Sequence, residues 1–206
     1  LKKARKAWEY AATANPAHLL GVKQMPADIY SNYYIMQSYG GWSPCIQGNN
    51  AYGLRPFAGS VLPNCVGYTV GRFNEMLDEG YCRWLGNTDA KNQLALAQSQ
   101  GLLTGDDPVV GGVICWDSAA NGHCAVIEQV VNNDEVICTE SGWSYSAPPI
   151  VRTYTHYRVN GAWQHIISGY TYQGIIYPPG YTPGGDPKEW LFAIRYKRRW
   201  KRKWRI

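Results

Sequence analysis

The sequence is short of several things, and each shortage excludes a class of protein. It has only 3 Phe and 3 Met, and its apolar content leans on 16 Tyr and 9 Trp instead. Leu is sparse, which argues against a helical bundle. No run of about 18 apolar residues occurs, so no segment reads as a membrane-spanning helix. The 6 Cys form no CxxC pair. A chain of 206 residues does not need a disulfide framework to fold. Only 4 His are present, with no HxH or HExxH spacing, so a zinc hydrolase of familiar pattern is not expected. Nothing at the N-terminus reads as a signal peptide.

What is present is a strand-and-loop composition. Apolar residues make up 45% of the chain, enough for one core, and 22 Gly accompany the aromatics. Broad aromatic surfaces suit sugar or peptide ligands. The net charge of +5 is a property of one end. Residues 195–206, RYKRRWKRKWRI, hold eight Lys or Arg and no acid, so the remaining body is slightly acidic.

Three regions are read along the chain. Residues 1–39 form a helical extension, with a basic helix over 1–13 and a second helix over 26–39. Residues 40–180 form the main domain. Residues 181–206 are a linker followed by the basic, Trp-rich tail. The main domain opens on a loop-rich stretch, 40–63. A helix then follows, with Val66, Val70, Phe73 and Leu77 on one face. Asn64 is its N-cap and Gly80 its stop. A further helix is read over 88–100. From 109 the period shortens to that of strands. Asn-Gly at 121–122 and Asn-Asn-Asp at 132–134 divide an antiparallel meander. More strands are read over 150–159 and 164–176. Helices followed by strands imply an α+β fold, with helices packed on one face of an antiparallel sheet.

Cys65 falls at the start of the first of these helices. Unpaired amides and the helix dipole favour a thiolate there, and the same amides can hold an oxyanion. His123 opens a strand straight after a tight turn, where it can reach a helix terminus and take the thiol proton. Glu140 lies on the next strand, placed to fix the imidazole tautomer. Asn64 and Gln47 are candidate oxyanion donors, as are Asn49 and Asn50. Trp42, Trp116 and Trp143 are candidates for lining a substrate groove. His18, His156 and His165 receive no role in this reading.

Five blocks carry a resemblance. LPNCVGYTVGRF at 62–73, GGVICW at 111–116, NGHCAVIEQV at 121–130, ICTESGW at 137–143 and YTYQGIIYPP at 170–179 resemble the CHAP domain (cysteine, histidine-dependent amidohydrolase/peptidase) in order and spacing. The resemblance implies a papain-like fold and a peptidoglycan hydrolase in which Cys65 is nucleophile, His123 base and Glu140 third member. It further implies a phage lysin or tail-associated enzyme acting on the bacterial wall, or else a secreted one. Two departures stand out. Many relatives carry Asn where this chain has Gly142. Some phage relatives carry an acidic calcium loop, whereas residues 40–63 contain no Asp or Glu. No metal and no cofactor are therefore expected. The rival reading is a non-catalytic wall-binding or virion assembly module on the same fold. The tail suits anionic wall polymers or a membrane surface, with nucleic acid a weaker fit.

Overall fold

The computed structural model describes residues 28–29, 31–34, 60–77, 84–86, 88–142, 144–145 and 149–183. The helix read over 1–13, the basic tail, and Trp42, Gln47, Asn49, Asn50 and Trp143 lie outside the described residues. So does most of the helix read over 26–39. Its described part is a single 3-10 turn, Asn32–Tyr34.

Helix α1 is Cys65–Leu77. Asn64 caps it as the sequence suggests: its Oδ1 accepts from the Gly67 N–H at 2.8 Å, and its carbonyl accepts from the Tyr68 N–H at 2.9 Å. Val66, Val70 and Phe73 are buried along one face, each burial stabilising by about 1.5–3 kcal/mol. Gly67 permits a close crossing. A Cβ there would stand 2.3 Å from the Val61 carbonyl oxygen.

The helix read over 88–100 is shorter than expected. It begins as a 3-10 turn, Ala90–Asn92, and continues as α2, Gln93–Ser99. The turn is held by tertiary contact, since the Lys91 N–H donates to Asn121 O at 2.9 Å.

Seven strands follow: β1 Thr104–Gly105, β2 Val113–Ser118, β3 His123–Asn132, β4 Glu135–Glu140, β5 Arg152–Val159, β6 Ala162–Trp163 and β7 Tyr170–Ile176. They form one antiparallel sheet in the order β1-β7-β2-β3-β4-β5-β6. The sheet curls into a half-barrel with the two short helices against it. The strand expected over 164–176 begins six residues later than expected: residues 164–169 leave the sheet as a loop, and pairing starts at Tyr170.

Two cores result, one on each face of the sheet. The outer core packs Val66, Val70 and Phe73 of α1 onto Val113, Cys115, Cys124 and Val126. The inner core fills the curl with Ile114, Trp116, Ala125, Ile127, Val136, Cys138 and Trp163. Alternation along β3 sends Cys124 to one core and Ala125 to the other.

A polar clamp locks α1 to the sheet. Arg72 grips Glu128 of β3 in a fork, Nε to Oε1 and Nη2 to Oε2, both at 2.8 Å. Its Nη1 donates to Glu75 Oε2 at 2.6 Å, which also accepts from Tyr34 Oη at 2.8 Å. Thr139 of β4 donates to Glu128 Oε1 at 2.8 Å and accepts from Tyr68 Oη at 2.6 Å. Removing one partner of such a pair strands the other in a dry site. Arg72→Ala is expected to lower stability by about 3–5 kcal/mol, measured by urea unfolding against the parent chain.

Candidate active site

The site lies at the rim of the half-barrel, where α1 begins and β3 begins. Cys65 is the first residue of α1. His123 is the first residue of β3, directly after Gly122. That glycine has φ +72°, and a Cβ on it would meet Trp116 O at 2.5 Å and Lys91 N at 2.6 Å. Only glycine makes this turn at low cost, so the Asn-Gly pair sets where His123 enters the strand.

The pairing of β3 with β4 brings in Glu140. Val126 stands opposite Thr139, which puts Glu140 across from Ala125 and diagonal to His123 on the same face. Nε2 of His123 lies 3.1 Å from Oε2 of Glu140, with Glu140 1% and His123 8% exposed. Cys65 and the same ring are electrostatically coupled, each shifting the other's titration. The structure thus brings together the three side chains singled out in the sequence.

Their electrostatics form one system. A hydrogen bond from the Cys124 thiol, opposed by burial and reinforced by His123, holds the Cys65 thiol well below its ordinary range. Burial works against charge on His123, but the bonds to Cys65 and Glu140 outweigh it and push the ring up to about 10. Glu140 is buried too, yet His123 and His156 hold its carboxyl well below the usual carboxylate range. A thiolate, an imidazolium and a carboxylate in line are the result.

Several residues that the sequence left without a role sit here. His156 on β5 places Nε2 at 3.6 Å from Glu140 Oε2, while its Nδ1 lies 3.0 Å from Gln164 O. His165, on the loop after β6, stacks on Tyr170 at 4.0 Å and meets the His123 ring edge-on at 5.0 Å. Burial, with His123 adding to it, pushes His165 down to about 4. Tyr145 donates from Oη to Glu140 Oε1 at 3.1 Å. Gly142 makes room for it, since a Cβ there would press on the Tyr145 ring at 3.3 Å. Where many relatives have Asn, this chain thus holds its carboxylate with Tyr145 and His156. An i+3 Tyr after a glycine was the available signal, but nothing in the sequence says the loop folds back.

One expectation changes. Trp116 does not line an open groove. It is fully buried, donates to Trp163 O at 2.7 Å, and lies under the rings of His123 and His156 at 6.2 and 5.0 Å. Asn64 uses its Oδ1 in the helix cap, which takes the amides of Gly67 and Tyr68; its donor atom for an oxyanion is the other one, Nδ2. The N–H groups of Cys65 and Val66 are the helix-start amides left over for an oxyanion.

Two outcomes are expected. Brief alkylation of the native chain labels Cys65, which is half-buried, ahead of Cys115, Cys124 and Cys138, which are buried and whose thiols are all pushed up; peptide mass spectrometry reads the order. Tyr145→Phe is expected to cost Glu140 one charge-assisted bond, about 1.5–3 kcal/mol, seen in chemical unfolding.

The comparisons with known proteins bear on this same region. Residues 56–142 match the family model of the CHAP domain, a span that includes Cys65, His123 and Glu140. Among solved structures, the chain is similar to a crystal structure of an N-acetylmuramoyl-L-alanine amidase from Staphylococcus aureus, at 18% identity and a TM-score of 0.39. That likeness covers 54% of this chain and 30% of the amidase, so less than a third of the amidase's length is represented. No curated protein matches the chain. Residues 56–142 thus match a CHAP domain, and the Cys, His and Glu within that span stand together at the rim of the sheet.

Proposed function

We propose that this chain is a peptidoglycan hydrolase that cuts an amide bond of bacterial wall peptide by cysteine acyl transfer. The observation that carries this reading is the rim constellation: Cys65 at a helix start, electrostatically coupled to a His123 ring whose Nε2 lies 3.1 Å from Glu140. A cysteine on a helix facing a histidine on a strand is the division of labour of a papain-like fold, and the CHAP match spans both.

The steps follow from the groups in place. The Cys65 thiolate attacks the amide carbonyl, and the oxyanion forms against the amide at the start of α1. His123 gives its proton to the leaving amine and becomes neutral. Neutral His123 then takes a proton from water, which attacks the thioester and releases the acid. Glu140 steadies the imidazolium before and after, held in its turn by Tyr145 and His156. Both the sugar–peptide junction and bonds within the peptide fit this chemistry. We place its action at the bacterial wall, as a phage lysin or tail-associated enzyme, with a secreted enzyme as the alternative. The basic tail would add attraction to anionic wall polymers.

Digestion of purified peptidoglycan, with mass spectrometry of the fragments, tests the reading and identifies the bond. The parent chain is expected to release new amine and carboxyl ends. Cys65→Ala is expected to release none, and His123→Ala to lose about 10²–10⁴ of the rate. Cutting that survives Cys65→Ala sinks the proposal. Wall binding by the parent chain without any cutting favours the binding-module alternative.

A further inference from the structure

The rim holds more ligand atoms than acyl transfer uses. One ligand atom each of His123, Glu140 and His165 lie within 4.8 Å of one another. Among the described residues, His123 Nε2, Glu140 Oε2, His156 Nε2 and His165 Nε2 are all buried and complete no well-aligned hydrogen bond. His123 Nε2 and Glu140 Oε2 face each other at 3.1 Å as an ion pair. Four such atoms on neighbouring side chains are an unusual concentration.

The chemistry of these atoms selects what fills the place. A carboxylate oxygen is an acceptor, and a ring nitrogen becomes one when it gives up its proton. A divalent cation displaces such protons and takes the freed lone pairs together. The outer contacts are suited as well, because a histidine ligand holds its other ring nitrogen on a backbone carbonyl or similar partner. His156 Nδ1 lies 3.0 Å from Gln164 O. His165 Nδ1 contacts both the N–H and the carbonyl of Ile167, at 3.0 and 3.3 Å, so Nε2 can give up its proton without leaving Nδ1 unserved. Ligands at about 2.0–2.1 Å from a tetrahedral zinc stand about 3.3 Å apart. The 3.1 Å between His123 Nε2 and Glu140 Oε2 is near that value, and His165 adds its ligand atom from within 4.8 Å of both.

We propose that His123, Glu140 and His165 form a Zn²⁺ site, with His156 steadying the carboxylate, and that zinc held there silences acyl transfer. Two imidazoles and a carboxylate suit zinc over calcium or magnesium, which prefer oxygen ligands. The cation replaces the proton between His123 Nε2 and Glu140, and that proton passes to solvent. His123 is then tied to a positive charge and no longer serves as base for Cys65. The silencing rests on the role proposed for His123 above; the binding does not.

Calorimetry of the chelator-treated full chain with zinc chloride tests the site directly. One Zn²⁺ per chain is expected, with binding weakened about 100-fold or more in His165→Gln, whose folding is checked by circular dichroism. X-ray absorption of the zinc-loaded parent chain is expected to show only nitrogen and oxygen neighbours near 2.0–2.1 Å. No binding, equal binding by His165→Gln, or a sulfur neighbour at about 2.3 Å overturns the site. Peptidoglycan digestion by the parent chain is expected to stop with one equivalent of zinc and return with chelator. The zinc-to-chelator activity ratio of His165→Gln is expected to stay near one. Zinc that leaves digestion unchanged or speeds it overturns the silencing. A chain that binds zinc as described but never digests peptidoglycan refutes the hydrolase reading and leaves the metal site standing.

Discussion

The fork between Arg72 and Glu128 is the interaction on which the arrangement of this domain depends. It joins the middle of α1 to the middle of β3, and both elements carry a reactive side chain at their first residue. Apolar packing of Val66, Val70 and Phe73 presses the helix on the sheet, but such packing tolerates sliding. Two parallel charge-assisted bonds at 2.8 Å do not. With Glu75, Tyr34, Tyr68 and Thr139 satisfying the remaining groups, the clamp sets the register of helix against strand. Cys65 and His123 inherit their relation from it.

At the rim the sheet does a second job. Its curl turns the inner face into a concave wall, so side chains from β3, β4, β5 and the loop after β6 point at one another. Trp116 forms the floor, fully buried under the His123 and His156 rings. Buried charge there is tolerable because it is shared. Glu140 faces His123, His156 and Tyr145, and Cys65 faces His123 and Cys124. The dry surroundings make each of these contacts stronger than it would be in water.

How much of this was legible depended on distance along the chain. Asn64 as cap and Cys65 as first helical residue are local facts, readable from a cap residue followed by apolar spacing of four, three and four. The turn at Gly122 and the strand start at His123 are local too. Other features were hidden. The two-residue strand β1 is too short to show a period. The helix expected from Thr88 starts later because its first turn is bonded to Asn121. Residues 164–169 carry strand-like composition, yet they form the loop that brings His165 to the rim. Trp116 looked like a groove residue because its neighbours are catalytic candidates, while its own side chain faces the inner core.

The sequence by itself determined the local chemistry: a thiol at a helix start, an imidazole after a tight turn, a carboxylate on the neighbouring strand. Each is dictated by caps, turns and periods that span only a few residues. Tertiary structure alone decided the company they keep. His156, His165 and Tyr145 join Glu140 and His123 because the sheet curls and two loops fold back over it. Periodicity tells which face a side chain takes, but not which other faces the curl will bring opposite. That closure, a sum of twist along seven strands, is what turns three readable residues into a site with six.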